Sequence, residues 1–99
     1  ITICSFISPT HDIRELARNI IGANDFIEVY LSTPLDVCEK RDTKGLYKRA
    51  RAGEINDFTG ISAPFDKPAC PDIELDTSKY SIRECVDKIF DTIIDRITL

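Results

Sequence analysis

"FIEVYLSTPLDVCEKRD", residues 26–42, is the stretch that decides the fold. Its first six residues are a strand-length run, apolar and aromatic apart from Glu28, and read as a strand. Thr33-Pro34-Leu35-Asp36 follows at once. A cap residue, a proline at the first helical position and an acid three residues after the cap announce a helix, expected to run to about Arg41. A strand passing directly into a helix is half of a βαβ unit, and the flanks supply more of the same.

Upstream, "TICSFI" (2–7) is β-branched and apolar and is bounded by Ser8-Pro9. It reads as a strand buried on both faces. Ser8 is then expected to cap a helix with Pro9 at its first position. In that helix Ile13, Leu16, Ala17, Ile20 and Ile21 share one face, and Gly22 is a stop. Downstream, "GLYKRARAG" (45–53) has helical composition between two glycines but few apolar residues, which predicts a short, mobile surface helix. Residues 60–71 contain Gly60, Pro64, Pro68 and Pro71 and read as an extended loop. "DIELDT" (72–77) is a third strand. Ser81 and Glu84 form a capping box, and the last helix carries Ile82, Cys85, Val86, Ile89, Phe90, Ile93, Ile94 and Ile97, a stripe expected to face the core.

The order strand, helix, strand, helix, arm, strand, helix predicts an α/β fold with parallel strands and right-handed crossovers. Ligands of open α/β sheets lie beyond the carboxyl ends of the strands, where Ser8, Ser32-Thr33 and Thr77-Ser78 fall. The 99 residues hold one small domain or part of one. The chain opens on Ile1 inside a strand-like run and contains no methionine, which reads as a fragment of a longer domain. No apolar run has the length of a membrane span and no signal peptide is visible. The four cysteines, Cys4, Cys38, Cys70 and Cys85, form no C-x-x-C pair, and His11 is the one histidine. A zinc site is therefore not expected, and free thiols in a reducing compartment are.

The net charge is −4, yet residues 40–51 hold Lys40, Arg41, Lys44, Lys48, Arg49 and Arg51 against one acid, Asp42. That asymmetry points to an anionic ligand bound at one place rather than to a nucleic-acid surface. Basic residues that close over phosphoryl groups stabilise their spread charge and exclude water; a solvated helix face is the blander alternative. Arg41 either clamps a phosphate or stacks on a base, or it complements the helix C-terminal dipole. Ser8 either presents its hydroxyl and neighbouring N–H groups to an anion or serves as a plain cap. Phe58, in the polar loop Asp57-Phe58-Thr59-Gly60, either offers a stacking platform or anchors the loop.

Taken together, "FISP", "FIEVYLSTPLDVCEKRDTKGLYKRARAGEINDFTGISAPF" and the proline-spaced "KPACPDIEL" resemble adenylylsulfate kinase across nearly the whole chain. The resemblance implies the C-terminal portion, residues 1–99, of a P-loop nucleoside-kinase-like three-layer α/β domain, with a lid at about 42–60. It implies transfer of the γ-phosphoryl group of ATP, with Mg2+, to the 3′-hydroxyl of adenosine 5′-phosphosulfate (APS), giving the sulfate donor PAPS. Ile7 and Ser8 would contact the acceptor nucleotide. Ser8 matches the position assigned in many members as a phosphoserine intermediate, although direct in-line transfer needs only positioning and charge neutralisation. Lys44 would reach phosphates from the lid. Asp57, Phe58 and Thr59 would line the acceptor adenosine, with Phe58 stacked on adenine, and Arg41, Tyr80 and Cys85 would border the ATP adenine.

The chain departs from the family pattern after Ser8-Pro9. "THDIR" replaces an aromatic followed by an aspartate–arginine pair, so Arg14 keeps the arginine and Ile13 loses the aspartate. Asp57 stands where many members carry a small residue, so its contribution is expected through backbone. The phosphate loop G-x-x-x-x-G-K-S/T is not among these residues. The fragment alone is thus expected to be inactive, with neither ATP nor Mg2+ held through its own residues. The alternative is a non-catalytic nucleotide-binding or structural module derived from the kinase. The resemblance also implies a cytoplasmic homodimer, fused to or associated with ATP sulfurylase or a GTPase subunit, without nucleic-acid or membrane partners.

Overall fold

The computed structural model describes residues 1–98. Its centre is a parallel pair of strands, β1 (Val29–Leu31) and β2 (Ile73–Leu75), in the register Val29↔Ile73, Tyr30↔Glu74 and Leu31↔Leu75. The Asp72 carboxylate accepts the Glu28 N–H at 2.7 Å, and the Ser32 N–H donates to the Leu75 carbonyl at 2.8 Å, so the ladder is secured at both ends. Between the strands the chain passes through α2 (Leu35–Arg41) and α3 (Leu46–Arg51); α1 (His11–Ile21) precedes them and α4 (Ile82–Ile97) follows.

The apolar nucleus is small. Ile73 and Leu75 alternate inward across β2 and meet Cys85 of α4, with Ile27, Tyr80 and Ile89 packed around them. The α4 start behaves as its sequence predicts. The Ser81 hydroxyl accepts the Glu84 N–H and the Glu84 carboxylate accepts the Ser81 N–H, both at 3.1 Å. Ser81, through its backbone N–H first and its side chain second, holds the Glu84 carboxyl below its ordinary range.

Several expectations are corrected. Residues 2–7 form no strand: a strand requires a hydrogen-bonded neighbour, and among the described residues this segment docks on neither open edge of the β1–β2 pair. Ile1, Ile3, Phe6 and Ile7 are exposed there. The first helix is capped by Thr10, whose Oγ1 accepts the Ile13 N–H, rather than by Ser8 with Pro9 at the first position. The reason is a tether. The Pro9 carbonyl accepts the Asp66 N–H at 2.7 Å, the Asp66 carboxylate accepts the His11 N–H at 3.1 Å, and the Arg14 guanidinium donates to the Asp66 carbonyl. These contacts draw the chain before α1 onto the 60–71 loop and delay the helix. Thr33 does not cap α2 with its side chain, and Pro34 stands at the cap position.

The apolar stripes are only partly covered. On α4, Cys85 is buried and Ile89, Ile93, Ile94 and Ile97 are half-buried, whereas Ile82, Val86 and Phe90 are exposed. On α1, Ile13, Leu16, Ile20 and Ile21 are exposed. A sheet two strands wide presents only a narrow apolar strip, and a helix face is buried only where something opposes it.

Candidate functional site

The carboxyl ends of the two strands are knotted together by side chains. The Thr33 and Thr77 hydroxyls share a hydrogen bond at 2.7 Å, and the Thr77 N–H donates to Thr33 Oγ1 at 2.9 Å. Arg41, the last residue of α2, reaches across. Its Nη1 donates to Thr77 Oγ1 at 2.7 Å and its Nη2 to the Thr77 carbonyl at 3.0 Å. The planar fork is thereby pinned at the strand ends. Beside it the Asp76 carboxylate accepts the Ser78 hydroxyl and backbone N–H, which hold it below the usual carboxylate range.

The arm turns back over this edge. Asp42, with φ +26°, ends α2 and accepts the N–H groups of Tyr47 and Lys48, both at 3.0 Å. A short carboxylate side chain tolerates such a backbone and satisfies donors that open α3. Gly45 follows at φ +68°, a conformation glycine adopts without steric cost. The Tyr47 ring then meets the Phe58 ring edge to face, 5.1 Å between centres at 74°. Burial pushes the Tyr47 hydroxyl pKa up, with the neighbouring Cys38 thiol adding to the effect.

Phe58 is held by a compact turn. Its N–H donates to Ser62 Oγ at 2.8 Å, and its carbonyl accepts the N–H groups of Ile61, Ser62 and Ala63. Gly60 at φ +87° lets that turn approach α2; a Cβ there would lie 3.4 Å from Leu35 Cδ1. Asp57 has φ +52°, the left-handed conformation that favours glycine and is tolerated by aspartate.

The result is a groove of about 240 Å³ bordered by Cys38, Arg41, Lys44, Leu46, Tyr47 and Phe58. Asp42 lines it too, but its carboxylate is taken up by the Tyr47 and Lys48 N–H groups, so two cations and two aromatic rings remain to suit a ligand with phosphate and a flat base. Of the residues singled out from sequence, the structure brings Arg41, Lys44 and Phe58 to this groove, with Asp57 and Thr59 in the turn on either side of Phe58. Ile7 and Ser8 do not line it; Ile7 is exposed and Ser8 is half-buried with φ +43°. Tyr80 covers the nucleus, with the Lys88 ammonium 3.8 Å from its ring centre, and Cys85 is buried beneath. Thr33, Thr77 and Asp42 acquire roles as partners that the sequence marked only by position. Among the described residues no three His, Cys, Asp or Glu converge to hold a metal ion, so none is assigned to magnesium. No helix among them is long and apolar enough to cross a membrane.

A parallel strand pair joined through helices, with a groove beyond the carboxyl ends, is of the α/β class, and the chain shares the P-loop nucleoside-kinase-like fold of an APS kinase of known structure. It superposes with a TM-score of 0.85 and 46% identity on the Mycobacterium tuberculosis APS kinase CysC, solved in complex with AMPPNP and APS, over 90% of this chain and 52% of that one. The adenylylsulphate kinase family profile matches residues 1–76. Identity is 59% over 97 residues to the adenylyl-sulfate kinase of Bacteroides thetaiotaomicron, covering 98% of this chain and 48% of that protein. It is 54% over 98 residues to that of Bacteroides fragilis, covering 99% and 48%. The chain belongs to the adenylylsulfate kinase family, and it spans about half the length of the curated relatives it matches.

Proposed function

We propose that this chain is the lid-bearing part of a kinase that transfers the γ-phosphoryl group of ATP to the 3′-hydroxyl of APS, giving PAPS. The observation that carries the reading is the groove where Arg41 and Lys44 face Tyr47 and Phe58 at the carboxyl edge of a parallel sheet. Residues 42–60 act as the lid. Lys44 neutralises phosphate charge as transfer proceeds, which positioning and electrostatics suffice to promote. Phe58 packs on the acceptor adenine, with Thr59 and the backbone of Asp57 beside it, and Ile7 and Ser8 approach the same nucleotide from the tethered N-terminal segment. Arg41 and Tyr80 border the ATP base, and buried Cys85 supports Tyr80 from below. Magnesium accompanies ATP and neutralises its phosphates when bound.

The four cysteines are unpaired, which suits a reducing cytoplasm. A homodimer, with fusion to or association with ATP sulfurylase, is the assembly we infer.

The test is PAPS formation by the full-length protein supplied with ATP, Mg2+ and APS. Turnover that falls in Lys44→Ala is the expected result. APS binding without ATP turnover would instead favour a nucleotide-binding module. The 99 residues alone contain no G-x-x-x-x-G-K-S/T, the loop that cradles ATP phosphates, so they are expected to form no PAPS by themselves.

A further inference from the structure

α2 offers a carboxylate to each end of α3. At the first turn Asp42 accepts the Tyr47 and Lys48 N–H groups. At the last residue Glu39 takes the fork of Arg51 in two parallel bonds, Nε to Oε1 at 2.6 Å and Nη2 to Oε2 at 3.0 Å. A two-point contact fixes orientation as well as distance, which an ammonium cannot do. Apolar packing gives little help, since Ala50 is the one buried residue of α3. The other arginine pair of the arm, Arg49 with Glu54 at 3.1 Å, lies within the arm and does not tie it to α2. Outside α2 the arm also meets Phe58 through the Tyr47 ring.

The geometry points to Glu39 and Arg51 as a positioning pair: their fork sets the angle at which the arm folds back on α2, and so holds Lys44 and Tyr47 at the groove for the acceptor nucleotide. Neither residue lines that groove; they act through the helix. Arg51 is therefore committed to an internal partner, although by composition it is one more phosphate-seeking charge of the arm. The inference rests on the kinase reading above and adds to it a contact that governs lid geometry.

The experiment uses the full-length protein with Glu39→Gln, Arg51→Gln and the exchanged pair Glu39→Arg with Arg51→Glu. Two readouts are taken: amide hydrogen exchange over residues 46–52, and the separate kcat and KM for APS. Each single variant is expected to speed exchange in the arm and to raise KM about three- to fivefold, the reach of one well-formed exposed ion pair, with kcat held within about twofold. The exchanged pair is expected to recover both readouts. Wild-type exchange in the single variants, or no recovery in the exchanged pair, overturns the proposal. So does faster exchange with an unchanged KM, because the pair would then only stabilise the arm. If the wild type forms no PAPS, the kinase reading falls, and exchange in the arm decides by itself whether the fork holds α3.

Discussion

The corner made by α2 and α3 and the nucleus made by β1, β2 and α4 are held by opposite physics. In the nucleus Leu75 is 1% exposed, Ile73 and Cys85 close around it, and no polar residue is buried among the described residues. Beyond the backbone ladder of β1 and β2, removal of apolar surface from water is what holds α4 to the sheet. In the corner one alanine is buried, and shape is set by Asp42 on two N–H groups, Glu39 on Arg51 and the edge of one aromatic ring on another. Apolar contacts do not respond to a phosphate, whereas charges and N–H groups do. The nucleus thus serves as a platform, and the corner, held at low cost by exposed polar contacts, is the part able to rearrange around an anion.

The largest expected effect breaks the platform. Leu75→Ala removes most of a side chain from a closed site and should cost about 2–5 kcal/mol in denaturant-induced unfolding; a loss under about 1 kcal/mol would mean that the nucleus does not carry the fold. Lys44→Ala should leave stability alone and lower kcat/KM of the full-length protein about ten- to a hundredfold, the range for deleting one charge-assisted contact. Unchanged kinetics would remove Lys44 from the site. Ser81→Ala cuts the capping box at the start of α4 and should cost about 1 kcal/mol, visible as a lower melting temperature with kcat and KM unaltered.

The smallest effect separates the two regions by pH. The hydrogen bond from Arg51, and then its charge, hold the Glu39 carboxyl below its ordinary value. A depressed acid contributes its stabilisation in full above the unfolded value and loses it as pH falls through the lowered folded value. Acidification through the carboxylate range should therefore shift the Arg51 Nε–H resonance and loosen the arm. Leu75 methyl resonances should stay in place until global unfolding. Simultaneous movement of both would show that corner and nucleus are one cooperative unit.

Much of the candidate site was legible along the chain. The crowding of basic residues at 40–51 beside Phe58 marked the corner, and Arg41, Lys44 and Phe58 do converge on one groove. The partners of those charges were not legible. Arg51 finds Glu39 twelve residues away across a reversal of the chain, and Thr33 finds Thr77 forty-four residues away across the sheet. Neither spacing follows a helical or strand period. Thr10 rather than Ser8 caps α1 for a similar reason, since the 60–71 loop binds Pro9, His11 and Arg14 from a distance.

Local rules determined which elements form from residue 10 onward and that Ser81 begins the last helix, because caps, glycines and apolar periods act over a few residues; the strands are shorter than the runs 26–31 and 72–77, because pairing sets their ends at 29–31 and 73–75. Only the tertiary structure decided which apolar faces are covered. The stripes of α1 and α4 look alike in sequence, yet Cys85 is buried and Ile20 lies 75% exposed. A period says that a face can be buried, and burial itself requires a surface opposite.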